Sequence, residues 1–462
     1  SRISVINFHE YKCWFPESVS ELRFVSQLSK SFFYGWWITI TALVVNAILS
    51  APAFGATGLW VDSLEAEFGW SRTQLAIAFS LGQLEGSIAA PLVGYLIDKI
   101  GGKKVSMIGT GISILGFVIL SLTTPVTGSR DHWFDPAIFY LAYCTIMFGG
   151  TLAGWIPMTV IINNWFNRQR SLAMAIGSVG FSVGTFAIVP LLAYMVNPEI
   201  LGWKWTAVSI AVFLPLVILI TYVVIRDRPE EMGLVPDGAS ALQSTHNKLR
   251  KNHQTKEDAL EIQPDFSIAE ALKEKVFWII ALGHGASAML TSTMMVHLIL
   301  AFKDQGLSLQ TSATMWGVAM GIGGISQILG GVIGDRYSKR YCLIIFGCLQ
   351  SIGVATATSV STLSSAFLFA VVYGFGFGAR APITTAMRGE YFGRTSFGKI
   401  MGISAMPMMV MTMVAPVVAG QMFDSQGDYR QAFLYIALLG FIGSLVFYFA
   451  KAPIHPTLKQ KA

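Results

Sequence analysis

Charge is what this chain has least of. Only 13% of its 462 residues are Asp, Glu, Lys or Arg, against roughly a quarter in soluble domains. With 53% hydrophobic residues and a mean hydropathy of +0.57, the composition is that of a membrane protein. Cysteine is also scarce. Cys13, Cys144, Cys342 and Cys348 lie far apart or inside apolar stretches, which argues against a disulfide framework and against a Cys/His metal spacing. No nucleophile–base pair is visible. Gly177, Gly180 and Gly184 follow no strand, so they read as close helix packing rather than a phosphate loop. Neither an enzyme, nor a metal, nor a cofactor is expected. Residues 1–33 are mixed polar without an apolar core, so no cleavable signal peptide is expected there. The excess of Lys+Arg (32) over Asp+Glu (26) falls in short clusters between apolar runs. That is the pattern of membrane-protein loops, not of a nucleic-acid surface.

What the chain has in abundance is apolar length. A spanning helix needs about 20 mainly apolar residues. Such runs occur near 34–55, 74–98, 104–124, 136–163, 171–196 and 205–225, and again near 276–301, 310–334, 341–360, 363–387, 398–422 and 430–450. The expected organisation is an all-α polytopic membrane protein of twelve transmembrane helices in two pseudo-symmetric six-helix bundles, 34–225 and 276–450. Tails at 1–33 and 451–462 and a polar linker at 226–275 complete it. The linker, with Arg226, Asp227, Arg228, Glu230, Glu231 and the run Lys248 to Lys256, is too polar to cross a bilayer and has the composition of a flexible connector. When loops are assigned alternately, twenty-six of the Lys and Arg residues fall on the side of the termini. Only Arg72, Arg130, Lys204, Lys303 and Arg430 fall on the other. The positive-inside rule then puts both termini in the cytoplasm, and the cell (plasma) membrane is the expected location.

The halves repeat one another. Gly94 and Asp98, followed by Lys99, Lys103 and Lys104, match Gly331 and Asp335, followed by Arg336, Lys339 and Arg340, at an offset of 237. Trp165-Phe166-x-Arg168 matches Tyr391-Phe392-x-Arg394 at 226, and Pro190 matches Pro416 at the same offset. Duplicated helical halves are a route to a transporter with its substrate site between them.

The stretch Gly94-x-x-x-Asp98-x-x-Gly101-x-Lys103 resembles the signature between the second and third helices of the major facilitator superfamily, and the weaker copy lies where that family repeats it. Within the superfamily the chain is similar to the oxalate/formate antiporter and monocarboxylate transporter branch. That likeness rests on Gly35-Trp36-Trp37 opening helix 1, Phe68-Gly69-Trp70-Ser71-Arg72 before helix 2, Arg226-Asp227-Arg228-Pro229-Glu230-Glu231 leaving helix 6 and Tyr391-Phe392-Gly393-Arg394 before helix 11. The resemblance covers roughly 34–450. It implies transport by rocking of the halves, with helices 1, 4, 7 and 10 lining the central cavity. It also implies a cytoplasmic gate built from Gly94, Asp98, Gly101, Lys103, Arg168, Gly331, Asp335, Arg336 and Arg394.

Intramembrane charges are functional candidates by default, and two stand out. Arg380 lies eight residues before Arg388, or ~12 Å of rise from that helix end. Its helical face carries Tyr373, Phe377 and Thr384. The repeat counterpart of Arg380 is Gly154, beside Trp155. On the cavity-lining helices that the resemblance implies, Arg380, Tyr373, Phe377, Thr384, Trp155 and Asn46 form the candidate substrate site. Arg binds a carboxylate bidentately and stays charged when buried. Glu85 lies 13 residues before Asp98, ~20 Å along its helix, flanked by Gly82, Gly86 and Ala89. Together with His297, near the outer end of helix 7, it is the candidate for proton coupling; a hydrogen-bonded wall role for His284 and His297 and an ion pair for Glu85 are the alternatives. The chain departs from its branch at helix 8. There Gly323 and Gln327 occupy slots where monocarboxylate transporters carry Asp and Arg, and 400–422 lacks the helix 11 cation of oxalate/formate antiporters. The expected function is secondary active transport of a small organic solute, most simply a monocarboxylate-type anion with a proton in symport, by a chain expected to be monomeric. The competing reading is an exchanger or exporter of a neutral or cationic hydrophobic compound.

Overall fold

The computed structural model describes residues 33–130, 132–166, 169–236, 266–393 and 397–455. The spans are α1 Tyr34–Phe68, α2 Arg72–Ile100, α3 Gly102–Ser121, α4 Ala137–Trp165, α5 Leu172–Met195, α6 Gly202–Val224, α7 Lys275–Asp304, α8 Leu309–Gly334, α9 Lys339–Ser359, α10 Leu363–Phe392, α11 Ile400–Gln426 and α12 Arg430–Phe449. Among the described residues eleven helices are long and apolar enough to cross a membrane. The twelfth, α2, bends by 51° between Gly86 and Pro91, where the proline ring displaces the carbonyl four residues before it. Odd-numbered helices run away from the face that carries residue 33, the 226–236 segment and residue 455. We call this the termini face and its opposite the distal face.

Local chemistry sets the ends. Ser71 and Thr362 form capping boxes with Gln74 and Ser365 at the starts of α2 and α10, each satisfying backbone donors that the first turn leaves open. The first span outruns its expected end at residue 55 and continues to Phe68. Pro52 sits in a π turn, Ala51–Gly55, and the Trp60 indole closes over it by donating to the Pro52 carbonyl at 2.8 Å. The added turns carry Asp62, Glu65 and Glu67, which is why apolar length alone did not reveal them.

The two sets of six pack by one rule. In the first half α1 pairs with α5, α2 with α4, and α3 with α4 and α6. In the second, α7 pairs with α11, α8 with α10, and α9 with α10 and α12. Small residues let these helices approach: Gly109 and Gly149 where α3 meets α4, and Gly353 and Gly376 where α9 meets α10. Between the halves α2 packs on α11, α5 on α8 and α1 on α7.

These cross-half contacts run from the distal face to within about 13 Å of Arg336 at the termini end of α8. Trp316 donates to the Gly55 carbonyl at 3.2 Å, Ser80 to the Met413 carbonyl at 2.6 Å, and Gln327 to the Ser178 hydroxyl at 3.1 Å. Near the termini face Gly94 and Gly331 have only open space where a Cβ would project. The halves are thus closed distally and parted toward the termini.

Candidate transport site

Between the halves lies a cavity of about 520 Å³, lined mainly by the first half, with Met295 of α7 on the opposite side. Asn46 and Trp155, expected together from sequence, do share it. Asn46 is buried and its amide donates to the Gly177 carbonyl at 3.2 Å, tying α1 to α5. Trp155 stands at the break of α4 beside Gly154 and leaves 51% of its surface exposed. Phe54 and Phe181 make the rest of the wall aromatic.

The buried charge of the second half lies outside the lining of that cavity. Arg380 on α10 is 4% exposed, with Nη1 3.3 Å from Nδ1 of His284 on α7. A guanidinium only donates, so His284 accepts at Nδ1 and its neutral form carries the hydrogen on Nε2. Arg388, two turns along α10, is also buried rather than marking an exposed helix end. The Nε atoms of both arginines lack a hydrogen-bond partner. Among the described residues no ion pair joins either of them to a carboxylate. Neither arginine lines the 520 Å³ cavity, but two desolvated guanidiniums without a counter-ion among the described residues make this part of the second half receptive to an anion. His284 lies about three helical turns nearer the termini face than Met295 along α7.

The helical face shared by Arg380, Tyr373, Phe377 and Thr384 differs from expectation. Tyr373 and Thr384 are fully buried in helix packing. Tyr373 stacks between Phe369 and Phe377, with centroids 5.2 and 6.1 Å away, and the Thr384 hydroxyl bonds back to the Arg380 carbonyl at 2.8 Å. The cause is the closeness of α8. A Cβ at Gly378 would overlap the Gly323 carbonyl, one at Gly374 the Ala319 carbonyl, and Phe377 fills the space at Gly323. The same contact accounts for the uncharged helix 8. There is no room at Gly323 for a carboxylate, Gln327 bonds across to Ser178, and the cation sits on α10 instead.

The proton-coupling candidates occupy other places. His297 is fully buried, with Nδ1 2.8 Å from the Tyr429 hydroxyl and Nε2 2.8 Å from the Pro416 carbonyl. The carbonyl requires N–H at Nε2, so Nδ1 accepts from Tyr429 and both ring nitrogens are engaged. Glu85 lies outside the central cavity, in a groove between α2 and α4.

Of the expected gate on the termini face, Arg168 and Arg394 lie outside the described residues, as does the side chain of Asp335. Asp98 and Arg336 are exposed. Gly101 turns with φ +89°, and the Asp227 carboxylate caps the start of α3, accepting from the Lys103 N–H at 2.8 Å.

The closed distal side holds a charge cluster that the sequence did not announce. Arg72 is 6% exposed. It pairs with Glu65 of its own half at 2.9 Å and with Asp304 of the other half, and its guanidinium lies 3.8 Å from the Phe423 ring centre. Asp424 at the end of α11 caps α2, accepting from the Arg72 and Thr73 backbone at 3.2 and 3.0 Å. Lys303 reaches Asp62 at 2.6 Å. The available signal was Phe68-Gly69-Trp70-Ser71-Arg72. Gly69 ends α1 at φ +68°, the Trp70 indole is held by Asp135 at 2.7 Å, Ser71 caps α2, and Arg72 bridges the halves.

Known proteins share this organisation. Monocarboxylate transporter 13 of Rattus norvegicus is 21% identical over 407 residues, covering 87% of this chain and 85% of that protein. A bacterial homologue of the human lysosomal transporter Spinster, in an inward-facing and occupied conformation, superposes with a TM-score of 0.67 at 13% identity, over 91% of this chain and 97% of that one. A D-xylose–proton symporter does so with 0.66 at 14%, over 92% and 99%. The sequence matches the profile of the Major Facilitator Superfamily over residues 31–372 and 323–462. With twelve helices in two repeated bundles around a shared cavity, the chain belongs to the Major Facilitator Superfamily.

Proposed function

We propose that this transporter carries a small monocarboxylate-type anion together with a proton, by alternating access, in the cell membrane with its termini face in the cytoplasm. The orientation rests on the Lys/Arg bias. The substrate class rests on Arg380, a buried guanidinium with an unpartnered Nε and no carboxylate ion pair among the described residues. A single carboxylate suits it, with the organic part of the solute against Trp155, Phe54 and Phe181 as the halves rock together. His284 is the proposed proton site, because it touches Arg380. A proton on His284 beside Arg380 is opposed by like charge, and an arriving carboxylate relieves that repulsion. By linkage, anion and proton then favour each other's binding. In proteoliposomes, uptake of a monocarboxylate should follow an imposed pH gradient, and Arg380→Ala should abolish it. Full transport by Arg380→Ala would overturn the assignment.

The mostly apolar wall of the cavity favours a second reading, export of a neutral or cationic hydrophobic compound. Thermal-shift comparison of short organic acids with amphipathic amines separates the two. Stabilisation by acids that is lost in Arg380→Ala supports the first.

A further inference from the structure

Glu85 is an intramembrane carboxyl that the proposed transport cycle does not use, and its surroundings are unusual. Gly82 and Gly86 abut α4, where added Cβ atoms would meet Met147 at 2.7 Å and Thr151 at 3.2 Å. Glu85 sits beside this contact, in a groove of about 450 Å³ formed by α2 and α4 alone. Apart from Glu85 and Cys144 the lining is hydrocarbon: Leu81, Leu84, Ile88, Ala89, Leu92 and Phe148. Leu81, Ile88 and Leu92 are 37%, 69% and 49% exposed, so the groove opens on the outer surface of the first bundle, where acyl chains would lie.

Both Glu85 oxygens are buried and neither has a hydrogen-bond partner. That is costly in either protonation state. An ionised carboxylate in apolar surroundings requires a counter-charge, and a neutral carboxyl still leaves its O–H and carbonyl unmatched. A metal ion does not resolve this, because a hard cation needs several oxygen ligands and the groove offers one carboxyl.

We propose that this groove is a lipid-facing binding site for a protonated long-chain amine. The ammonium would donate to both Glu85 oxygens, and the alkyl chain would lie along Leu81 to Leu92, about 16 Å of helix. Such a ligand enters from the bilayer, on the opposite side of α2 and α4 from the substrate cavity. Charge complementarity selects an amine over an alcohol or a fatty acid of equal length, all of which partition into the membrane.

The test is photo-crosslinking in nanodiscs with dodecylamine carrying a terminal diazirine, against the matching dodecanol, followed by peptide mapping. The amine should label the segments around 81–92 and 144–148 well above the alcohol, and unlabelled dodecylamine should compete. In Glu85→Gln the labelling should fall by roughly tenfold or more, as for loss of a charge-assisted hydrogen bond. Equal labelling by amine and alcohol in the unmodified protein overturns the proposal whether or not the variant folds. Undiminished amine labelling in a folded Glu85→Gln protein overturns it as well.

Discussion

Arg72 of the first half and Asp304 of the second meet at the distal end of the molecule, with Nη2 3.0 Å from Oδ1 and a second, parallel contact from Nη1. The pair is bidentate and mostly desolvated on the Arg side, where 7% of the side chain is exposed. Geometry of this kind gives an ion pair real strength, unlike an exposed surface pair. Any state open at the distal face must break it, along with Lys303–Asp62 and the Asp424 cap.

Arg72→Gln should therefore bias the transporter toward distal opening. Loss of a charged hydrogen-bond pair costs about 1.5–3 kcal/mol, on the order of a 10- to 100-fold change in the ratio of closed to open states. Spin labels on the distal ends of α2 and α11 should report longer distances in the variant. An unchanged distance distribution would remove Arg72 from the gate. The charge-reversed double variant, Arg72→Asp with Asp304→Arg, should restore part of the closed population.

Twelve helices, their order and the repeat were legible, because apolar length and charge asymmetry are properties of single segments. Arg72 was legible only as a charge at a helix start. Its partners, Glu65, Asp304, Asp424 and Phe423, come from three other helix ends, and only the packing of α2 on α11 and α1 on α7 brings them together. The same applies to Arg380. The sequence showed a lone intramembrane cation, but the neighbour that gives it a chemical context, His284, lies 96 positions away. Helical spacing grouped Tyr373 and Thr384 with Arg380. It could not reveal that the glycines of α8 bring another backbone against that face.

Arg380 permits a finer test than removal. Lysine keeps the charge but loses the planar fork. Arg380→Lys should bind a carboxylate through a single point contact, lowering apparent affinity by roughly tenfold while leaving detectable transport. Arg380→Ala should leave none. If Lys and Ala behave alike, fork geometry rather than charge is essential. If Lys equals wild type, the anion is held elsewhere.

His297 should behave as a structural cross-link. With Tyr429 and the Pro416 carbonyl both satisfied by its ring, His297→Phe would leave two buried polar groups unmatched, at about 1–3 kcal/mol each. The expected result is a clearly lower unfolding temperature of the purified protein with an unchanged pH dependence of the remaining transport. A shifted pH profile would instead return His297 to the proton path. His284→Gln should do the reverse, changing the pH dependence with a smaller effect on stability.

The loop between α3 and α4 offers a pH-dependent prediction outside the membrane. Burial opposes the charge on Asp135, yet the Trp70 indole, the Thr127 hydroxyl and the Thr127 and Gly128 N–H groups all donate to it. Together they hold its carboxyl below the usual value. A carboxylate depressed in the folded state stabilises it above the ordinary carboxylate pKa, about 3.9. That contribution is lost as pH falls through the lower, folded value. Acidification below about pH 4 should release the loop from Trp70, read as a change in tryptophan emission relative to Asp135→Asn. In that variant the emission should already differ at neutral pH.

The turn on the termini face should control the opposite closure. Asp98 is exposed while the halves are parted there, whereas Asp227 fixes the adjacent turn by capping α3 at Lys103. The two carboxylates are thus predicted to have separable roles: Asp227 holds the turn in shape in the present state, and Asp98 is expected to find its partners when the termini face closes. Any side chain at Gly101 would overlap Asp227 and would also be strained at φ +89°. Gly101→Ala should therefore lower thermal stability as well as transport. Asp98→Asn should slow turnover while leaving stability and substrate affinity in the termini-open state near wild type. Parallel measurement of unfolding temperature, equilibrium binding and exchange rate in the two variants distinguishes a shape defect from a lost latch. Unchanged turnover in Asp98→Asn would exclude the latch.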